Sequence, residues 1–289
     1  MKLILVDFSW LYNKYYYVAT YNVSSSEELT SKAVKAQLLH MLTQFLMLIE
    51  KSYPKARVML AMDSPTSTLK NFQIFEGYKQ NRNKEEKKKV YANLDFIVKE
   101  LVKVLNPKVF YFIREKLYEA DQLLAFMVKK YHEKNEIIIF SGDKDLLQLT
   151  SYSNTYSSDK FEKGKFLIKT DEEIFQKFKN SKGEDFTRIS KNKRDILKYR
   201  SLKGDTSDNL EAVFPRIKDK EIMNIIQEYW VDDQEENLSE ERINDIIEDI
   251  RGDNEPLANK LEGSKEIWLR NYKIMDLLHV NDINMKRLK

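Results

Sequence analysis

Four short apolar runs recur between stretches of helical periodicity, and this alternation limits the fold more than any other feature of the chain. The runs are Lys2–Val6, Arg57–Met62, Lys108–Ile113 and Glu136–Phe140. Each is short and nearly continuous in apolar residues, as a strand buried on both faces must be. Between them, Glu27–Lys51 carries Leu38, Leu42, Phe45, Leu46 and Ile49 on one side. Val90–Leu105 carries Leu94, Ile97, Val98, Leu101 and Leu105 at spacings of three and four, and Tyr118–His132 is a third helical segment. The pattern predicts an α/β fold: a parallel central sheet with helices on both faces. After Leu149 it changes. Asn154–Thr170 predicts a hairpin turning near Glu162–Gly164. From Asp171 onward nearly everything is helical, with helices expected at Ile189–Leu202, Lys218–Trp230, Glu240–Ile250 and Ser264–Leu278. The expected division is a core over residues 1–175 and a helical region over 176–289.

The residues that end the strands share one chemistry. Asp7 follows the first run and Asp63 the second; Glu119 and Asp121 open the helix after the third; Asp143 and Asp145 follow the fourth in SGDKD. All strands of a parallel sheet point the same way, so these acids line one edge, where open α/β sheets place their ligand sites. Any one of them has an ordinary reading as a helix cap or turn residue. Capping does not explain why every strand should end in one. Clustered carboxylates raise one another's pKa unless cations neutralise them. An all-oxygen donor set suits Mg2+ or Mn2+. Two such ions, about 3.5–4 Å apart, activate water and stabilise a leaving oxygen in phosphodiester hydrolysis. On this reading Asp143 and Asp145 are metal ligands, Asp143 placed to bridge, and Lys144 points elsewhere.

Composition removes other classes. The 289 residues contain no cysteine, so disulfides and thiolate metal sites are excluded, and the three histidines are scattered. The opening MKLILVDFSW is interrupted by Asp7 and is not a signal peptide. No apolar stretch is long enough to span a membrane. A soluble cytoplasmic protein is expected. The net charge of +3 hides segregation: Lys79, Arg82, Lys84 and Lys87–Lys89 crowd one stretch, Lys177 to Lys203 forms another, and Glu228 to Glu262 is acidic. Such segregation suggests a basic face for a polyanion, against the plainer reading of solvated helix surfaces.

LVDFSWLYNKYYY resembles the opening of the 5′-nuclease superfamily, the flap endonucleases and the 5′–3′ exonuclease domains of bacterial DNA polymerase I. FEGYKQNR, YEADQLLA, SGDKDLLQL and LKGDTSDNL resemble that family's later blocks in order, over about two thirds of the chain. The size is similar to a stand-alone phage-type flap endonuclease, whose location would be the host cytoplasm. The resemblance implies a PIN-like nuclease core, a helical arch near residues 76–92 that admits a 5′ single strand, and a helix-three-turn-helix near 186–230 that binds duplex DNA. It implies metal carboxylates at Asp7, Asp63, Glu119, Asp121, Asp143, Asp145, Asp205 and Asp208. Asp63, Glu119, Asp121 and Asp143 would lie nearest the first ion, and Asp145, Asp205 and Asp208 would form the second-ion group. Tyr78, Lys79 and Arg82 match the arch base, with Lys79 on the scissile phosphate. Lys14 and Lys70 stand where many relatives carry arginine, which keeps the charge and loses the bidentate fork. Tyr12, Tyr15, Tyr16 and Tyr17 are candidates for base stacking, or for core.

The largest departure follows Asn209. Relatives often continue with a Gly-rich hairpin, whereas LEAVFPRIKDK has no glycine. Phosphate binding is therefore expected from side chains, Arg216 and Lys218, with Asp219 a candidate cap for the next helix. The charged NRNKEEKKK is expected to be disordered without DNA. The activity implied is hydrolysis of 5′ flaps or RNA primers, on flapped, branched or RNA-primed DNA. The protein is expected to act as a monomer, with replication proteins as candidate partners. The competing readings are a PIN-type ribonuclease and a structure-specific DNA-binding protein without cleavage.

Overall fold

The computed structural model describes residues 1–21, 31–176, 192–231, 237–280 and 283. Residues 177–191, which carry much of the second basic stretch and the start of its expected helix, lie outside the described residues, as do 22–30.

Five strands form one sheet: β1 (Lys2–Asp7), β2 (Arg57–Ala61), β3 (Phe110–Ile113), β4 (Glu136–Phe140) and β5 (Thr155–Ser158). Their order is β3-β2-β1-β4-β5 and every pairing is parallel. The chain runs outward from β1 to β3, then returns to lay β4 on the other side of β1. That reversal puts the carboxyl ends of β1, β2 and β4 around one crevice.

Alternation divides the sheet's side chains between two cores. On one face Ile4, Val6, Val58, Leu60, Phe112 and Ile138 pack against α1 (Phe8–Thr20), α2 (Lys32–Ser52) and α5 (Leu94–Val104). On the other, Leu3, Leu5, Ile137 and Ile139 pack against α6 (Ala120–Tyr131) and a cluster that continues into the C-terminal helices. Between β2 and α5 lie α3 (Leu69–Ile74) and α4 (Lys84–Tyr91). After β5 come the short β6 (Phe161–Glu162) and β7 (Lys165–Phe166), then α7 (Asp171–Gln176). The helical region holds α8 (Asp195–Lys203), α9 (Asp219–Asn224) with a π-helical turn through Tyr229, α10 (Glu240–Asp253), α11 (Glu255–Glu262) and α12 (Lys265–Met275). No helix among the described residues is long and apolar enough to cross a membrane.

Several local expectations are corrected. The single hairpin over Asn154–Thr170 is two things: Thr155–Ser158 is a fifth parallel strand on β4, and only β6 and β7 form the antiparallel turn. From the last acid of SGDKD the chain enters a 3-10 helix, Asp145–Ser151. Val90–Leu105 is broken near Ala92 into α4 and α5. The charged arch segment, expected to lack order, forms α4. The Asn83 side chain caps it by accepting from Glu85 and Glu86 N–H, each at 3.1 Å. It is fastened to α1 by Tyr12 OH to Val90 O (2.9 Å) and Tyr17 OH to Glu86 (2.9 Å).

Candidate active site

Each carboxylate reaches the crevice from a strand end or helix start, and several serve as caps as well. Asp7 accepts from Trp10 N–H at 2.9 Å as the N-cap of α1, and from Ser141 Oγ at 2.9 Å. Asp63 accepts from Ala120 N–H at 2.8 Å, and its own N–H donates to Ser9 Oγ at 2.9 Å. Glu119, the N-cap residue of α6, accepts from Tyr78 OH (2.7 Å), Asn71 Nδ2 (3.2 Å) and Lys79 Nζ (2.5 Å). Asp121 lies in the first turn of the same helix. At the end of β4, Asp143 accepts from Asp145 N–H at 2.9 Å. Between them and the strand, Gly142 is required: a Cβ there would lie 2.6 Å from Trp10 Nε1.

Asp205 and Asp208 come from the loop after α8. Gly204 turns it with a φ of +73°, where a Cβ would meet the Glu211 carbonyl at 2.5 Å. Asp205 and Leu210 then exchange backbone hydrogen bonds of 2.8 Å. This loop is laced to YKQNR, far away in sequence. Lys79 N–H donates to Asp208 O (2.9 Å), Asn81 Nδ2 to Thr206 O (2.6 Å), and Asn209 Nδ2 to Gly77 O (2.8 Å). Lys79 adopts a φ of +55° to make this turn. Arg82 pairs with Asp208, and Lys79 Nζ stands 3.7 Å from it.

Charge divides the row in two. Among the described residues Asp7, Asp63, Asp121 and Asp143 make no salt bridge, although the Lys79 charge acts on Asp121 and Asp143. Burial, then Asp63 and Asp143 nearby, pushes Asp7 up to about 7. The surrounding protein mass, with Asp145 alongside, pushes Asp143 up to about 6, although part of its surface meets solvent. Asp121 is raised by burial and by Glu119. The other half is compensated. Lys79 pairs with Glu119, Arg82 with Asp208, and Arg200 with both Asp145 and Asp205. Burial works to lower the Lys79 pKa, yet Glu119 foremost, then Asp208, holds it above the ordinary lysine value. Asp205 goes below the usual carboxylate range: burial opposes this, and Arg200 outweighs it.

The other expected residues take distinct places. Lys14 is exposed, its ammonium 5.2 Å from the Trp10 ring centre, and Lys70 stands 5.0 Å from the ring of Tyr118, the neighbour of Glu119. Arg216 and Lys218 are exposed in the loop before α9, with Arg216 at a φ of +62°. Asp219 is not the cap of that helix. Its carboxylate is taken by Lys203 (2.7 Å) and Tyr199 OH (2.9 Å). Tyr12 and Tyr16 are core. The described part of the second basic stretch is largely paired internally rather than open to a polyanion. Lys193 meets Asp171 (2.8 Å), Lys198 is buried on Trp230 O, and Lys203 is on Asp219. Sequence reasoning missed Arg200, Asn71, Ser9 and Ser141 as supports of the acids. Only Arg200 left a signal, as a cation five residues before Asp205, one turn of helix from the loop.

The chain resembles known proteins over most of its length. The profile of the 5′-3′ exonuclease N-terminal, resolvase-like domain matches residues 2–179. A 5′-3′ exonuclease of Mycoplasmopsis pulmonis (strain UAB CTIP) is 25% identical over 276 residues, covering 96% of this chain and 80% of the relative. One from Aquifex aeolicus (strain VF5) is 28% identical over 207 residues, 69% of this chain and 62% of the relative. Among solved structures, T5 5′-exonuclease with bound divalent zinc ions superposes with a TM-score of 0.62 at 18% identity, covering 96% of this chain and 90% of that one. The bacteriophage T5 flap endonuclease with DNA and metal ions gives 0.61 at 18% identity and the same coverage. At that identity the two structures speak for the fold.

Proposed function

The chain belongs to the 5′-3′ exonuclease family through its N-terminal, resolvase-like domain, and on that premise we propose that it is a divalent-metal-dependent 5′ nuclease of flapped and RNA-primed DNA. The observation that carries this reading is the row of carboxylates at the sheet's carboxyl edge with Lys79 and Arg82 seated on it.

The donor set suits a hard cation. Every donor is an oxygen, and Asp7, Asp121 and Asp143 hold raised pKa values, those of Asp121 and Asp143 even though the Lys79 charge nearby works to lower them. As they stand, no three Asp, Glu, His or Cys side chains among the described residues form a ready-made metal cage. The fit therefore rests on charge and donor chemistry. Asp63, Glu119, Asp121 and Asp143 would hold a first Mg2+ or Mn2+, and Asp145, Asp205 and Asp208 a second. When bound, such ions lower the pKa of a water and stabilise attacking and leaving oxygens.

The protein's own groups supply the rest. Lys79, released from Glu119, reaches the scissile phosphate and stabilises the charge that grows on it. Arg82 fixes the Asp208 loop beside it. Lys14 and Lys70, held on aromatic rings rather than on acids, meet neighbouring phosphates. Arg216 and Lys218 anchor the duplex, since Pro215 in that loop has no N–H to donate. The expectation is that Arg216→Ala with Lys218→Ala lowers the magnitude of the salt slope of flap binding by up to about two units, with cleavage at saturating enzyme little changed. Wild-type affinity and slope in the double variant would place duplex anchoring elsewhere.

The whole proposal is tested with labelled flapped, gapped and RNA-primed duplexes and single-stranded RNA, in Mg2+ and in EDTA. Cleavage of branched duplexes that EDTA abolishes is the expected result. Cleavage of single-stranded RNA alone would favour a ribonuclease, and binding without cleavage in Mg2+ would leave a DNA-binding protein.

A further inference from the structure

One side chain that no motif selected is shared between two carboxylates of the row. Arg200 lies in the last turn of α8 and its side chain is only 14% exposed. Its Nε donates to Asp145 Oδ1 at 2.7 Å and its Nη2 to Asp145 Oδ2 at 3.3 Å; Nη2 also donates to Asp205 Oδ2. The remaining oxygen, Asp205 Oδ1, accepts from Ser207 N–H (2.8 Å) and Ser207 Oγ (2.7 Å). All four carboxylate oxygens of the pair are thus engaged, and one guanidinium stands between two negative charges. A divalent ion and the guanidinium would compete for the same carboxylate oxygens and the same negative charge. Removing either partner of a buried ion pair leaves an uncompensated charge, so Asp145 and Asp205 hold a cation of one kind or the other. Asp63, Asp121 and Asp143 make no such salt bridge among the described residues, and Lys79 acts on Asp121 and Asp143 only through space.

We propose that Arg200 is a built-in counter-cation that occupies the Asp145–Asp205 pair in the metal-free protein, so that a second divalent ion binds only as the guanidinium withdraws. This rests on the metal-dependent reading above. The two ions then differ in kind. The first meets three carboxylates that make no salt bridge, Asp63, Asp121 and Asp143, and needs only Glu119 to be freed from Lys79. The second competes with a salt bridge and is weak until substrate gives Arg200 another anion, a phosphate, to hold. Arg200 is a positioning residue on this account: it sets when the second-ion carboxylates become available.

The test is titration of the substrate-free protein with Mn2+, following bound ions by calorimetry and free ions by electron paramagnetic resonance. Wild type is expected to show one ion bound tightly and a second much more weakly. In Arg200→Met, which fills the space without charge, the second ion should bind at least about tenfold more tightly, a change of about 1.4 kcal/mol. The Mn2+-induced rise in melting temperature should also be larger than in wild type. Arg200→Lys keeps the charge but cannot span two carboxylates, and should fall between. Because Arg200→Met could unfold when metal-free, Arg200→Lys carries the test by itself in that event: unchanged second-ion affinity overturns the proposal. So does a wild type that binds two ions equally, or a folded Arg200→Met that binds them as wild type does. If no form binds Mn2+ at all, the metal-dependent reading fails and this proposal with it. Loss of the first ion in Asp63→Asn, with the second retained in Asp63→Asn plus Arg200→Met, would separate the two sites.

Discussion

Lys79→Ala should slow single-turnover cleavage by about 10²–10³-fold, the cost of deleting one donor aimed at developing charge, while flap affinity changes far less. Lys79 is nearly enclosed between Glu119 and Asp208, with its side chain 12% exposed. A charge so placed contributes where the phosphate reacts, not where the strand is merely neutralised. Lys87, Lys88 and Lys89 on α4 are exposed, and replacing them should weaken binding and flatten its salt dependence instead. Equal, purely binding defects from both sets would remove the special role of Lys79. A second consequence separates Lys79 from an ordinary surface lysine. Its removal strands Glu119, which is buried, so the metal-free variant should also melt at a lower temperature.

The metal-free protein should lose stability as pH rises from about 4 to 7, against the usual behaviour of a protein whose acids are paired. The folded-state pKa of Asp7 is raised to about 7 from an ordinary 3.8. A raised carboxyl pKa means that the folded state holds the proton more tightly than the unfolded one. Its penalty is absent below the unfolded value, grows through the interval and is complete above about pH 7. At 1.36 kcal/mol per unit, Asp7 alone accounts for about 4 kcal/mol, or a melting shift on the order of 10 °C. Asp121 and Asp143 act in the same direction. Calorimetry in EDTA at pH 5.5 and pH 8 measures it, and Mg2+ at pH 8 should recover most of the loss. In Asp7→Asn the slope should flatten. A melting temperature in EDTA that is constant or climbs over this interval, alike in both forms, would show that Asp7 carries no such penalty.

What the sequence could and could not convey follows from physical range. The four buried strands were legible because apolar runs without alternation have few other uses. β5, Thr155–Ser158, was not, since TYSS carries no apolar run and gains its place by pairing with β4. The acids at the strand ends were legible from parallelism alone. Their division into compensated and uncompensated halves was not, because it depends on contacts such as Arg200 to Asp145 that join residues 55 apart. Asp219 shows the same limit: an acid at a helix start is read as a cap until Lys203 and Tyr199 are seen to claim it.

The lacing of YKQNR to the GDTSDN loop has a consequence for anyone who would cut this chain into pieces. The two segments share a backbone hydrogen bond, Lys79 N–H to Asp208 O, as well as their charges. A fragment ending near residue 175 would keep every acid from Asp7 to Asp145 and still lack Arg200, Asp205 and Asp208. It would also open the apolar cluster that Leu3, Leu5, Ile137 and Ile139 share with α6, which is completed by residues as distant as Trp268 and Ile274. Such a fragment is expected to aggregate rather than to behave as a smaller enzyme, and mixing it with the missing half would be a more informative experiment than assaying it alone.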